Sequence, residues 1–239
     1  AKGDLDVVLG RLPRGKAVGV DDIPNELLRG GGEILAKSLS LLFERCRLAR
    51  HTPEGWKIGR VVPIHKEGDA TLPDNYRGIS ILSNVGKVYS TLLCLRLERL
   101  VAPQLAEEQG GFRRHRGCDD QLFVLSDVLE GRICRKQPLY LAFVDLRKAY
   151  DRVWRQGLWY KLRGFGVPEE LQGLIREWYA NARAQASLQG RLSDPFTVGQ
   201  GVRQGCPLSP LLFSCFINAL ADELNRRCRG VRQIGRAHV

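Results

Sequence analysis

Apolar positions along the chain change period several times, and each change predicts an element. In "NELLRGGGEILAKSLSLLFERCRLAR", Leu35, Leu39, Leu42 and Phe43 recur at helical spacing after the Gly30-Gly31-Gly32 break, which predicts a helix with one buried face. "GRVVPIHKEGD" reads as a short strand running into a turn. "NYRGISILSNVGKVYSTLLCLRLERLV" passes from a strand into a long amphipathic helix. Further helices are expected in "QLFVLSDVLEG" and "EELQGLIREWYANARA", and a hairpin around Gly190 in "QASLQGRLSDPFTV". A last helix opens at "LSPLLFSCFINALADELNRR", where Ser209 can cap the first turn and Pro210 suits the first helical position. Strands and helices mix without regular alternation and without a repeat, so the fold class is α+β, a sheet covered by helices.

One segment departs from simple amphipathicity. "LYLAFV" (139–144) is apolar throughout and runs into Asp145, as expected of a strand buried on both faces that delivers a carboxylate where the sheet meets solvent. A fixed carboxylate suits a hard cation such as Mg²⁺. The plainer alternative is a strand-ending Asp that begins a turn or caps a helix. Two other segments offer complementary chemistry. Lys66 follows one strand and Arg77 starts the next, so two cations can converge on a phosphate. Gly201 and Gly205 flank Gln204, giving a backbone turn able to approach a ligand closely. Taken singly, these are an ordinary solvated hairpin and an ordinary loop.

Composition narrows the partners. A chain of 239 residues, 44% of them hydrophobic, can bury a core as one large domain or two interleaved lobes. Against 26 acidic residues stand 37 Lys and Arg, a net charge of +11 spread along the chain, which favours a polyanion and nucleic acid first. The seven cysteines are scattered with no C-x-x-C pair, and read as reduced thiols of an intracellular protein without a zinc site. No apolar run approaches the roughly 20 residues of a membrane span, and the N-terminus lacks a signal-peptide core, so neither membrane nor secretion is expected.

In this order, "KAVGVDDIPNELL", "VVPIHKEGD" with "NYRGISIL", "EQGGFRRHRGCDDQLF", "AFVDLRKAYDRV" and "GVRQGCPLSPLLF" resemble the reverse transcriptase domain of non-LTR (LINE-like) retrotransposons, from about Lys16 to about Arg229. Group II intron-type reverse transcriptases share the general plan. The resemblance implies a right-hand polymerase fold with interleaved fingers and palm and an antiparallel palm sheet packed by helices; the thumb is expected to be absent from this chain. The palm would come mainly from about 139–155 and 196–230 of a partial domain spanning 1–233.

The activity implied is RNA-directed DNA polymerisation. Its partners are an RNA template, a DNA primer and deoxynucleoside triphosphates, with Mg²⁺ as cofactor and Mn²⁺ as a possible substitute. Carried over residue by residue, Asp145 is the first metal-binding aspartate and Tyr150 the aromatic beneath the incoming sugar. Lys66 and Arg77 grip the triphosphate, and Gln204 and Gly205 line nucleotide and template. Arg113, Arg114 and Arg116 contact template or phosphate, with a plain solvated basic face as the alternative. Asp151 is expected in the following helix, in a salt bridge or cap.

The family's other metal ligands come from a hairpin with two adjacent aspartates after the "GVRQGCPLSP" helix, and none appears before Val239. Residues 234–239, "IGRAHV", resemble the translation of a sequencing adapter and are expected to be a foreign tail. Nuclear action is expected from the family. The competing function is a nucleic-acid-binding relic without catalysis.

Overall fold

The computed structural model describes residues 2–227. Cys228, the upper limit of the resemblance at Arg229, and the tail 234–239 lie outside them. Among the described residues the helices are α1 (Lys2–Gly10), α2 (Asn25–Gly30), α3 (Gly32–Ala49), α4 (Glu54–Lys57), α5 (Asn84–Val101), α6 (Cys118–Cys134), α7 (Arg155–Gly164), α8 (Glu169–Tyr179) and α9 (Ser209–Arg227). The strands are β1 (Ile58–His65), β2 (Tyr76–Ile81), β3 (Arg183–Leu188), β4 (Arg191–Leu192) and β5 (Phe196–Thr197). No described helix is long and apolar enough to cross a membrane.

The sheet is mixed, in the order β2-β1-β3-β4 with β5 also paired to β3. β1 runs antiparallel to β2 but parallel to β3, with Ile58 opposite Arg183 and Val61 opposite Ala186. Pro63 is tolerated in β1 because β3 pairs only as far as Val61, so at Pro63 the strand has a neighbour on the β2 side alone. The β3–β4 turn is Gln189-Gly190, both with positive φ, which suits the twist of a two-residue hairpin.

α5 is the central helix. Its Ser83 cap accepts from the Gly86 amide at 3.0 Å, and Val88, Leu93, Leu97 and Val101 are buried along one face. Tyr89 joins Phe43, Trp56 and Trp178 in an aromatic cluster with centroids 5.3–6.5 Å apart, which ties α3, α4, α5 and α8 together. On α3 the buried face is Ala36, Leu39, Phe43 and Cys46; Leu42, expected on it, is partly exposed.

The expected double-sided strand at 139–144 does not form. That stretch is irregular, with Tyr140 91% and Phe143 83% exposed. A strand needs a neighbour's backbone groups, and among the described residues none pairs with it. An antiparallel palm sheet is accordingly not seen among these residues. α6 forms as the periodicity predicts, yet none of its residues is buried. Ser209 begins α9, and its hydroxyl pairs with the Tyr179 phenol at 2.9 Å.

Beside the aromatic cluster lies a buried ion pair. The Lys57 amine, 2% exposed, lies 2.7 Å from Glu177 and 3.0 Å from Glu54. Burial pulls its pKa down, but the hydrogen bonds to Glu177 and Glu54 outweigh this and hold it above the ordinary lysine value. Glu177→Gln is expected to cost about 3 kcal/mol, because a buried charge loses its nearer partner. Lys57→Met, which fills the same volume without charge, is expected to be nearly neutral. Urea midpoints of both variants check this. The amine's folded pKa is raised, so the pair's contribution is complete below the unfolded lysine value of about 10.4 and is lost as pH climbs past the folded one. The midpoint difference between wild type and Lys57→Met should therefore be flat from about pH 7 to 9 and change only in stronger alkali.

Candidate active site

A cavity of about 760 Å³ opens between the β1–β2 hairpin, the 145–151 segment and the loop that leads into α9. It gathers side chains from three distant parts of the chain. Lys66 and Arg77 come from the end of β1 and the start of β2, where Ile64 stands opposite Arg77 and the Lys66 amide donates to the Asn75 carbonyl at 2.9 Å. Both are exposed, and neither has an ion-pair partner among the described residues. On the same wall, Lys148 is neutralised by Asp74 at 2.7 Å, with Arg147 3.9 Å from that carboxylate. The Lys148 hydrogen bond and the two cations hold Asp74 below the usual carboxylate range. Lys66 and Arg77 are thus the cations of this wall left open to an anion.

Asp145 lines the cavity as an exposed carboxylate, carried by irregular backbone instead of the expected strand. Asp151 lies on the same wall, in a turn before α7 and not yet in the helix; its amide donates to the Lys148 carbonyl at 3.1 Å. Among the described residues no three ligating side chains form a metal-sized cluster. Asp145 and Asp151 bring to the cavity the oxygen donors that a hard cation takes, and two carboxylates alone do not complete a two-ion site.

Tyr150 also lines the cavity. Its ring stacks on Phe213 with centroids 5.2 Å apart and meets Phe112 edge-on at 6.3 Å. Burial raises the pKa of its phenol. Its carbonyl accepts from the Val202 amide at 2.8 Å, so the tyrosine is packed from one side and open to the cavity from the other.

The loop 200–206 forms the remaining wall with Gln204 and Gly205. Gly201 has φ +80° and Gly205 φ +100°, conformations that side chains with a Cβ rarely adopt. A Cβ on Gly205 would stand 2.6 Å from the Ser80 carbonyl oxygen, and one on Gly201 2.7 Å from that of Asp151. The glycines let the loop lie flat against β2 on one side and the 150–153 turn on the other.

The five residues expected at a nucleotide site, Lys66, Arg77, Tyr150, Gln204 and Gly205, therefore share one cavity with Asp145, the aspartate expected to bind metal. The three arginines do not reach it. Arg113 donates to the Ala106 carbonyl at 2.9 Å, and Arg116 is paired with Glu107. Arg114 is held by Glu98 at 3.0 Å and lines a second cavity of about 1030 Å³ between α1, α5 and β2. The two cavities share Gly205 and Pro207 as a common wall. Sequence reasoning missed Phe112 and Lys148, both at positive φ in loops that carry no periodic signal.

The sequence model described as "Reverse transcriptase (RNA-dependent DNA polymerase)" matches residues 64–237. The probable RNA-directed DNA polymerase from transposon BS of Drosophila melanogaster is 29% identical over 208 residues, 86% of this chain and 23% of that protein. The RNA-directed DNA polymerase from mobile element jockey of the same species is 30% identical over 212 residues, 87% and 23%. The transposon TX1 uncharacterized 149 kDa protein of Xenopus laevis is 28% identical over 230 residues, 95% and 17%. The chain spans about a quarter or less of the length of these relatives. The family model covers more than half of the chain, and every residue lining the shared cavity falls within the matched stretch 64–237; the chain belongs to the reverse transcriptase family, with its relatives among non-LTR retrotransposon polymerases.

Proposed function

We propose that this domain selects and positions the incoming deoxynucleotide in RNA-templated extension of a DNA primer. The observation that carries the reading is the convergence of Lys66, Arg77, Asp145, Tyr150, Gln204 and Gly205 on one cavity. The primer 3′ oxygen attacks the α-phosphorus, the bond to the β-phosphate oxygen breaks, and pyrophosphate leaves while the hydroxyl proton passes to solvent. Lys66 and Arg77 meet the triphosphate's negative charge as an unpaired cation pair. Tyr150, braced by Phe213, lies under the sugar and leaves no room for a 2′-hydroxyl. The Gln204-Gly205 backbone lines the paired base.

Asp145 serves as an oxygen ligand for Mg²⁺, with Mn²⁺ as substitute and Asp151 alongside. The bound ion supplies charge stabilisation at the reacting phosphate. In the finer architecture, β1, β2 and α5 belong to the fingers, and 139–155 with 196–227 belong to the palm. The net charge of +11 supports binding of the template-primer along the molecule's basic surface.

Three outcomes test the reading. The chain should bind an RNA–DNA heteroduplex with little sequence preference, and log Kd should depend on log salt with a slope growing by about 0.7–0.9 per phosphate neutralised. A salt-independent affinity would contradict it. In the protein that carries this domain, Asp145→Asn should abolish primer extension on RNA and leave heteroduplex Kd within about twofold, since size is kept and only the anionic ligand is lost. Tyr150→Val should admit ribonucleotides while deoxynucleotide use stays largely intact. A variant that discriminates as before would assign Tyr150 to packing alone.

A further inference from the structure

Two arginines behind the nucleotide cavity have no carboxylate partner among the described residues, and both hold backbone carbonyls. Arg203 is buried. It donates from Nη1 to the Trp56 carbonyl at 3.0 Å and from Nη2 to those of Lys57 and Trp178, each at 3.2 Å. Arg155 is partly buried. It donates to the carbonyls of Gly201 at 2.9 Å, Gln200 at 3.2 Å and Tyr179 at 3.2 Å. Both guanidiniums lie over the Tyr179 ring, at 5.2 Å for Arg155 and 5.7 Å for Arg203, and Arg203 lies 5.4 Å from the Trp178 ring as well. Tyr179 in turn reaches Ser209, at the start of α9.

Keeping two guanidiniums in this place is costly. Burial lowers the pKa of each below the ordinary arginine value, and the charge of Arg203 adds to the effect on Arg155. A neutral side chain would fill the volume without that cost. What a guanidinium adds is a planar fork that reaches several carbonyls at fixed angles, which neither an apolar group nor an ammonium reproduces.

The elements joined by the forks are the walls of the cavity. Arg203 immediately precedes Gln204 and Gly205. The carbonyls it holds on Trp56 and Lys57 lie at the root of β1, the strand whose far end leads to Lys66 and whose partner β2 carries Arg77. The same loop is held again at its outer end, where the Ser80 amide of β2 donates to the Gln204 carbonyl at 3.0 Å. Arg155 fixes the start of the loop to α7, next to the turn that bears Tyr150 and Asp151. Resting on the nucleotide-site reading above, we infer that Arg203 and Arg155 are positioning residues: they hold the Gln204-Gly205 turn at a set distance from Lys66 and Arg77 on one side and from Tyr150 on the other, and so set the width of the nucleotide cavity.

The test compares Arg203→Lys and Arg155→Lys with the wild-type chain by amide hydrogen exchange, affinity for a deoxynucleoside triphosphate with Mg²⁺, and affinity for heteroduplex. In Arg203→Lys, exchange at Ser80 and at 201–206 should quicken by about tenfold or more, while Val88 and Leu93 in the core of α5 stay as protected as in wild type. Triphosphate Kd should rise about tenfold or more with heteroduplex Kd within about twofold, because a small displacement of aligning groups is felt by the small ligand first. Unchanged loop protection in a folded variant, or an equal loss of protection in loop and core, would overturn the proposal. Should Arg203→Lys fail to fold, Arg155→Lys decides: selective quickening at 201 and 202 supports the clamp, and unchanged exchange there refutes it. If wild type binds no triphosphate while the loop alone loses protection in the variants, the polymerase reading fails and the clamp stands.

Discussion

The side of the molecule that holds the cavity of about 760 Å³ is referenced to one backbone contact, the approach of the 204–205 peptide to Ser80. The Gln204 carbonyl accepts from the Ser80 amide, and Gly205 lies so close to the Ser80 oxygen that any side chain would collide with it. β2 is thereby extended on its outer side by a loop 124 residues further along the chain (204 − 80). The two cations of the hairpin and the aromatic floor at Tyr150 keep a common frame only while that contact holds, because no strand among the described residues joins them directly.

The core behind this contact is built in a conventional way. α5 contributes a nearly unbroken apolar face, and the aromatic cluster of Phe43, Trp56, Tyr89 and Trp178 fills the space between α3, α5 and the start of β1. The charged groups placed against it are compensated in two different ways. Lys57 is matched by carboxylates, whereas Arg203 is matched by carbonyl dipoles and ring faces.

Elements whose signal is local were legible in the sequence. The strand-turn-strand of 58–81, the long helix after Ser83 and the hairpin at Gln189-Gly190 each carry their period or turn residues within a short window, and all form; the helix expected over 169–184 forms only over 169–179 and gives way to β3 at Arg183. That Lys66, Asp145 and Gln204 would lie together was an expectation from family resemblance, since they are too far apart in the chain for spacing to join them, and they do line one cavity. What escaped depends on distant partners. "LYLAFV" has the composition of a strand but no strand to pair with among the described residues, and strand formation is decided by the neighbour as much as by the segment. Leu42 satisfied the helical period, yet the partners of α3 cover the arc of Ala36 and Cys46 instead. Ser209 read as a cap, and its hydroxyl meets a tyrosine 30 residues upstream. The guanidinium of Arg203 bonds to carbonyls 146 and 147 residues away, and no pattern around it announces this.

The bare apolar run at 139–144 bears on how the protein behaves in a tube. Irregular backbone with large exposed side chains, and with amides that have no backbone partner among the described residues, is a template on which the same run of a second molecule can add as a strand, the first step of aggregation. The opposing force is mutual repulsion between copies that each carry +11. That repulsion is screened over about 10 Å at 0.1 M salt and about 3 Å at 1 M. The high-salt wash that strips bound nucleic acid from a basic protein therefore also removes the barrier that keeps these runs apart, and colloidal stability is best where salt is low or a polyanion covers the surface.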